Sequence, residues 1–129
     1  GHGGNNSAVN IAAEKLADQG GRVMIFSWWQ DFREEILEVC ETQGHAGEDE
    51  SSAVLAVAED SCHMELATVN NNQLIASIKE KDIGRKSYKN AVSGDPRKAS
   101  REKGEKLYTK ISEKMIELIK LFEAGDILK

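Results

Sequence analysis

Cysteine is scarce, basic charge is not in excess, and no long apolar run is present. The two cysteines, Cys40 and Cys62, sit in or beside apolar helical patterns and form no C-x-x-C pair. That excludes the common paired-cysteine zinc and redox motifs, and both thiols are expected to be reduced, as in a cytoplasmic chain. Lys and Arg number 17 against 22 Asp and Glu, for a formal net charge of -5. This balance argues against a nucleic-acid backbone or an anionic membrane as a partner. No stretch approaches the roughly 20 apolar residues that span a bilayer. The first residues lack the charged-then-apolar order of a signal peptide. No repeat and no low-complexity segment interrupts the chain.

What is present is the composition of an ordinary globular domain. Of the 129 residues, 40% are hydrophobic and 30% charged, which fits one domain over residues 1–129. Asn5 or Asn6 is placed to cap a helix running to about Gln19, with Ala8, Val9, Ile11, Ala12 and Leu16 at helical spacing. Arg22–Trp29 reads as a buried strand. "QDFREEILEVCET" is amphipathic, and "SSAVLAVAED" is a small-residue helix, apolar on most faces. "MELATVN" reads as a second short strand, and Asn70 to Asp95 as polar and irregular. The C-terminal helix has the strongest signal. Asp95 is placed to cap it, and Pro96 suits its first turn. Leu107, Ile111, Met115, Leu118 and Phe122 form a stripe that Ile116 and Ile119 widen, and Gly104 is expected to admit a close backbone.

The element order suggests an α/β domain, but only one convincing strand is available. A sheet buried on both faces needs more. The glycine turn at the start also lacks the strand that normally feeds such a turn. The expectation is therefore the C-terminal part of a longer α/β protein, whose apolar faces a missing part or another subunit would cover.

Three motifs carry candidate chemistry. "GHGGN" places His2 in a glycine turn before a helix. Such a turn presents N–H groups to an anion, its histidine is a possible metal ligand, and Gly3 and Gly4 leave room for metal and substrate. The plain alternative is an exposed turn. "GHAGEDE" sets His45, Glu48 and Glu50 within six residues. Imidazole and carboxylate are the ligands of hydrolytic Zn²⁺ or Mn²⁺ and equally the partners of general acid–base pairs. Against that stands a simpler reading, acidic residues in a first helical turn. "SWWQDF" sets Trp28 and Trp29 side by side. If the strand continues, they point to opposite faces, one toward the core and one toward a cleft where it stacks on a flat substrate; otherwise both fill the core or an interface. His63 has no acidic partner at useful spacing and reads as a surface or packing residue. Lys103 and Lys106 read as part of a solvated helix face.

Together "GHGGN", "GHAGEDESS" and "SGDPRKASREKG" resemble the motifs of the creatininase (creatinine amidohydrolase) family. The resemblance implies a three-layer α/β/α sandwich with a mostly parallel sheet, of which this chain is the C-terminal half. It implies a cytoplasmic hydrolase using two divalent metal ions (Zn, Mn or Fe) to cleave a C–N bond of a small cyclic amide or formamide. By the same resemblance His2 and Glu48 are metal ligands, His45 is a general acid–base and Glu50 supports it. Trp28 or Trp29 falls near an aromatic that closes over the substrate ring, and both stand as candidate substrate-binding residues beside Gly3 and Gly4, which the glycine turn itself suggested. A metal-bound water would attack the carbonyl, and His45 would pass a proton to the leaving nitrogen. The implied partners are a small-molecule amide, the missing N-terminal half or a complementary chain, and further copies in a homo-oligomer, a hexamer. The family's Glu-x-His and following Asp are lacking. Two alternatives follow: a family hydrolase acting on a peptide or cyclic ketone, or an inert interaction module lacking the N-terminal metal ligands.

Overall fold

A computed structural model describes residues 2–128, and among them every regular element is a helix or a 3₁₀ turn. The helices are α1 (Asn6–Asp18), α2 (Trp28–Asp31), α3 (Arg33–Leu37), α4 (Glu48–Ala58), α5 (Ile83–Ser87) and α6 (Arg101–Ala124). The expected three-layer α/β/α sandwich is therefore corrected. Among the described residues the β-pairing consists of one isolated antiparallel bridge, Asn70 to Gly94. The physical reason is a shortage of partners. A strand is stabilised by a neighbour's backbone groups, and among the described residues Arg22–Phe26 has no second strand to pair with. Trp28 and Trp29 turn into α2 instead of ending a strand. "MELATVN" becomes a 3₁₀ turn, Met64–Leu66, followed by the single bridge.

The chain divides into two units. One runs from its start to Arg33 and resumes at Ser112, and the other is Glu34–Ile111. In the first unit a 3₁₀ turn, Gly3–Asn5, leads into α1 without a side-chain cap from Asn5. Val9, Ile11 and Leu16 of α1 remain exposed. The Arg22 guanidinium stacks on the Phe122 ring, 4.4 Å from its centroid, and donates to the Phe122 carbonyl. The Phe26 and Phe32 rings lie 5.6 Å apart, and Phe32 is wholly buried.

The second unit contains the better-formed core, with Ile36, Cys40, Leu55 and Leu107 all buried. The amphipathic run after Trp29 does not make one helix. It breaks at Phe32, and α3 ends at Leu37. Gly104 does what its position suggested. A Cβ there would sit 1.9 Å from the Ser52 carbonyl oxygen and 2.8 Å from the Ala56 Cβ, so the backbone of α6 lies directly on α4. Ser52 Oγ donates to the Glu48 carbonyl at 2.6 Å and accepts from Ser100 N at 3.2 Å, tying both helices to one hydroxyl. Asp95 caps a separate 3₁₀ turn, Pro96–Lys98, and α6 begins afresh at Arg101. Along α6 the stripe Leu107, Ile111, Met115, Leu118 and Phe122 is the less exposed face, whereas Ile116 and Ile119 are exposed.

Asn70 closes the polar loop region. Its Nδ2 donates to the Ser87 carbonyl at 2.7 Å and the Val92 carbonyl at 2.6 Å, and its Oδ1 accepts from Asn72 N at 3.1 Å. Its backbone exchanges two further bonds with Gly94, at 3.0 and 2.7 Å. A side chain that serves three segments at once fixes a loop that has no periodic pattern of its own.

No helix among the described residues is long and apolar enough to cross a membrane.

Candidate functional site

The centre of the second unit is the start of α4. Gly47 stands before the helix, and Glu48, Asp49 and Glu50 form its first turn. That is where negative charge meets the unpaired N–H groups and the positive end of the helix dipole. Each carboxylate also reaches backward. Glu50 Oε2 accepts from Ala46 N at 2.7 Å, Asp49 Oδ1 from Gly44 N at 3.0 Å, and Glu48 from Glu41 N at 3.2 Å and Thr42 N at 2.8 Å. Three successive acidic residues thus fold the loop 41–46 onto their own helix. Gly44 is required there, because a Cβ would meet the Ser93 carbonyl oxygen at 1.9 Å.

Glu48 is wholly buried, and its acceptors are filled. Oε1 takes the Glu41 N–H and the Lys103 ammonium at 2.6 Å; Oε2 takes the Thr42 N–H and the Thr42 hydroxyl at 3.0 Å. A carboxylate offers about four lone-pair sites. Burial pushes the Glu48 carboxyl up, but the bonds from Lys103, Thr42 and Glu41 together outweigh it and hold it below the usual range. Lys103 is accordingly a core partner and not a member of a solvated face. Its own ammonium is held above its ordinary value, chiefly by the Glu48 bond.

Asp49 is buried beside it, with Oδ2 lacking a hydrogen-bond partner among the described residues. Burial raises its carboxyl first, with the Glu50 charge adding to the effect, while N–H groups of Gly44, Glu50 and Asp49 itself oppose it. Cys40 is pushed up to about 11 by burial and then by the charges of Glu48 and Asp49. It is a buried thiol with little thiolate character.

His45 lies at the rim. Its Nδ1 is 3.9 Å from Glu50 Oε2, too long for a hydrogen bond, and its ring meets Tyr88 edge-on at 5.5 Å between centroids. In the first unit, a Cβ on Gly3 would stand 3.6 Å from Trp29 Cζ2, and one on Gly4 would stand 3.1 Å from the His2 ring. The glycine turn is thus packed by its own histidine and by an indole. Trp28 is half-buried. The structure brings His45, Glu48 and Glu50 together in the second unit, while His2, Gly3, Gly4, Trp28 and Trp29 belong to the first. Sequence reasoning missed Asn70, Ser52 and Lys103. For Lys103 the available signal was its place one residue from Gly104, on the face of α6 that comes closest to α4.

What this geometry defines is a helical protein with a buried, fully satisfied carboxylate at a helix start. The expected centre of two divalent metal ions (Zn, Mn or Fe) is corrected. No group of three or more His, Cys, Asp or Glu side chains able to hold a metal forms among the described residues, and a catalytic zinc site takes at least three protein ligands. Glu48 presents no unfilled acceptor to such an ion.

The chain belongs to the creatininase family. The family model for creatininase, described as creatinine amidohydrolase, matches residues 1–119. Searches of curated proteins and of solved structures gave no match. The match spans nearly the whole chain, so the expectation of a C-terminal half, completed by a missing N-terminal half or a complementary chain, is corrected. The metal-dependent amidohydrolase expectation falls with the sheet and the metal cluster. So do the small-molecule amide substrate and the hexamer implied by that sandwich.

Proposed function

We propose that this creatininase-family chain is a catalytically inert interaction module. One observation carries the reading: the Glu48 carboxylate spends its acceptors on Glu41, Thr42 and Lys103, and so works as the rivet of a helix junction. A ligand carboxylate must hold lone pairs available for the ion. Here metal binding would have to break a buried ion pair and three hydrogen bonds. His45 and Glu50 serve the same end, as members of a turn that Ala46, Gly47 and Ser93 hold against α4. The exposed apolar side chains Val9, Ile11 and Leu16 of α1 and Ile116, Ile119 and Leu121 of α6 fit a protein that acts through its surface. The reading keeps the chain in the cytoplasm, in accord with its two free cysteines.

The test is a hydrolysis assay on the full chain with creatinine and with a formamide, each with added Zn²⁺ or Mn²⁺. Turnover equal to the protein-free control is expected. Metal-dependent turnover that His45→Ala abolishes would overturn the reading.

A further inference from the structure

Residues 83–92 pass beside the turn that carries His45. They run through α5, a bend at Tyr88 and a tight turn, Lys89–Ala91. Backbone strain gathers here. Among the described residues four non-glycine positions have positive φ, and three lie at this segment: Asp82 at +61°, Asn90 at +56° and Ala91 at +59°. The fourth, Ala46 at +46°, sits in the turn that the segment touches. Asp and Asn tolerate the left-handed region, alanine has no side chain to compensate it, and two such residues in succession are uncommon. Strain of this kind persists only where the surroundings enforce it, and it gathers at switch segments. One buried side chain supplies the enforcement. Asn70 is 6% exposed, and its Nδ2 grips the segment on both sides of the strained pair, at the Ser87 carbonyl and at the Val92 carbonyl. Inside the turn the bonds are fewer and longer, Ala91 N to the Tyr88 carbonyl at 2.9 Å and Val92 N to the Lys89 carbonyl at 3.3 Å.

We propose that residues 83–92 form a sprung strap, with Asn90 and Ala91 as the spring and the Asn70 amide as the latch, and that its release lifts Tyr88 from His45. Both latch bonds come from one amide group, so they are made and lost together. The end beyond Val92 stays in place when the latch opens. There the Asn70 backbone exchanges two bonds with Gly94, and Ser93 N donates to the His45 carbonyl at 2.8 Å, all without the amide side chain. The other end has slack. Residues 71–82 are exposed apart from half-buried Ile78, and among the described residues their backbone–backbone bonds go only to Ile83 and Lys86. Opening relaxes the two left-handed residues and frees the edge of the His45 ring, which Tyr88 meets in the closed form. The junction of α4 and α6 takes no part, because Gly104, Ser52 and the Glu48–Lys103 pair hold it by themselves. The open form is the minor one, and a molecule that binds the uncovered rim would draw the chain toward it.

The test follows amide protection and ring-to-ring contacts by NMR in the full chain and two variants, with helix content checked by circular dichroism. Asn70→Asp keeps the size of the latch and its acceptor for Asn72 N, but its carboxylate faces the two carbonyls with no proton to give. Protection at Ala91 and Val92 should fall by about tenfold or more, with protection in α4 and α6 unchanged. The nuclear Overhauser contact between the Tyr88 and His45 rings, present in the native chain, should disappear. Ala91→Gly removes the alanine's strain and should raise protection at Val92 by about threefold, with the ring contact kept. If Asn70→Asp does not fold, Ala91→Gly decides alone. The proposal is overturned if Asn70→Asp leaves protection and ring contact as in the native chain, if it lowers protection equally at Ser52 and Leu55 of α4, or if Ala91→Gly fails to raise protection at Val92.

Discussion

The Lys103 ammonium lies 2.6 Å from Oε1 of Glu48, a side chain with no exposed surface. Fifty-five positions separate the two residues, and the pair joins the first turn of α4 to the early part of α6. Removing one member of a buried ion pair leaves the other charge uncompensated. Lys103→Met should therefore destabilise the chain by about 3 kcal/mol at neutral pH. The sign with pH follows from Glu48. Its folded carboxyl lies below its unfolded value, so its contribution is present above the unfolded value and lost as pH falls through the folded one. The deficit of Lys103→Met measured by urea denaturation should shrink on that acid side. An equal deficit at acid and neutral pH would count against the pair.

Asp49 has the opposite sign. Burial raises its carboxyl in the folded chain, so its contribution is present below the unfolded value and lost as pH rises through the folded one. Asp49→Asn keeps an oxygen for the Gly44 N–H and removes the charge. It should flatten the decline of stability across the window between those two values. Thermal melts of both proteins over that window measure it, and parallel curves would refute the assignment.

The two thiols should differ in reactivity. Cys40 is 2% exposed, and its thiol is pushed up to about 11, first by burial. Cys62 is partly exposed. A disulfide reagent at pH 8 should modify Cys62 quickly and Cys40 only as fast as the chain opens, with both reacting at once in guanidinium. Equal rapid modification of both in the native chain would show that the core around Cys40 is not closed.

Gly104→Ala sets two effects against each other. Alanine gains about 1 kcal/mol in helix propensity. The new Cβ would lie 1.9 Å from the Ser52 carbonyl oxygen, and overpacking of that kind costs about 1–3 kcal/mol. Net destabilisation by denaturant titration is expected, and a stabilised variant would mean that α4 and α6 are not in contact there.

The sequence made the helices legible where period and ends agreed. The residues of α1, α4 and α6 follow from apolar spacing, and Gly104 followed from its cost inside a helix. The simple reading of Glu48, Asp49 and Glu50 as a first helical turn is what the structure contains. The strands were not legible. Val23–Phe26 has the composition of one, but strand formation depends on a partner elsewhere, which composition does not report. The Glu48–Lys103 pair was hidden for the same reason. A lysine on an amphipathic helix reads as solvated, and only the close approach at Gly104 turns it inward. The glycine–histidine motifs identified the family, but the chemistry they carry elsewhere depends on a ligand set that the described residues do not assemble.

Equilibrium dialysis of the folded chain against Zn²⁺ and against Mn²⁺, with elemental analysis of the retained protein, tests most directly whether Glu48 is a structural carboxylate. The wild type should retain far less than one ion per chain, and Glu48→Gln should leave that content unchanged while lowering stability by about 2 kcal/mol. Stoichiometric metal in the wild type that disappears in Glu48→Gln or His2→Ala would contradict the account.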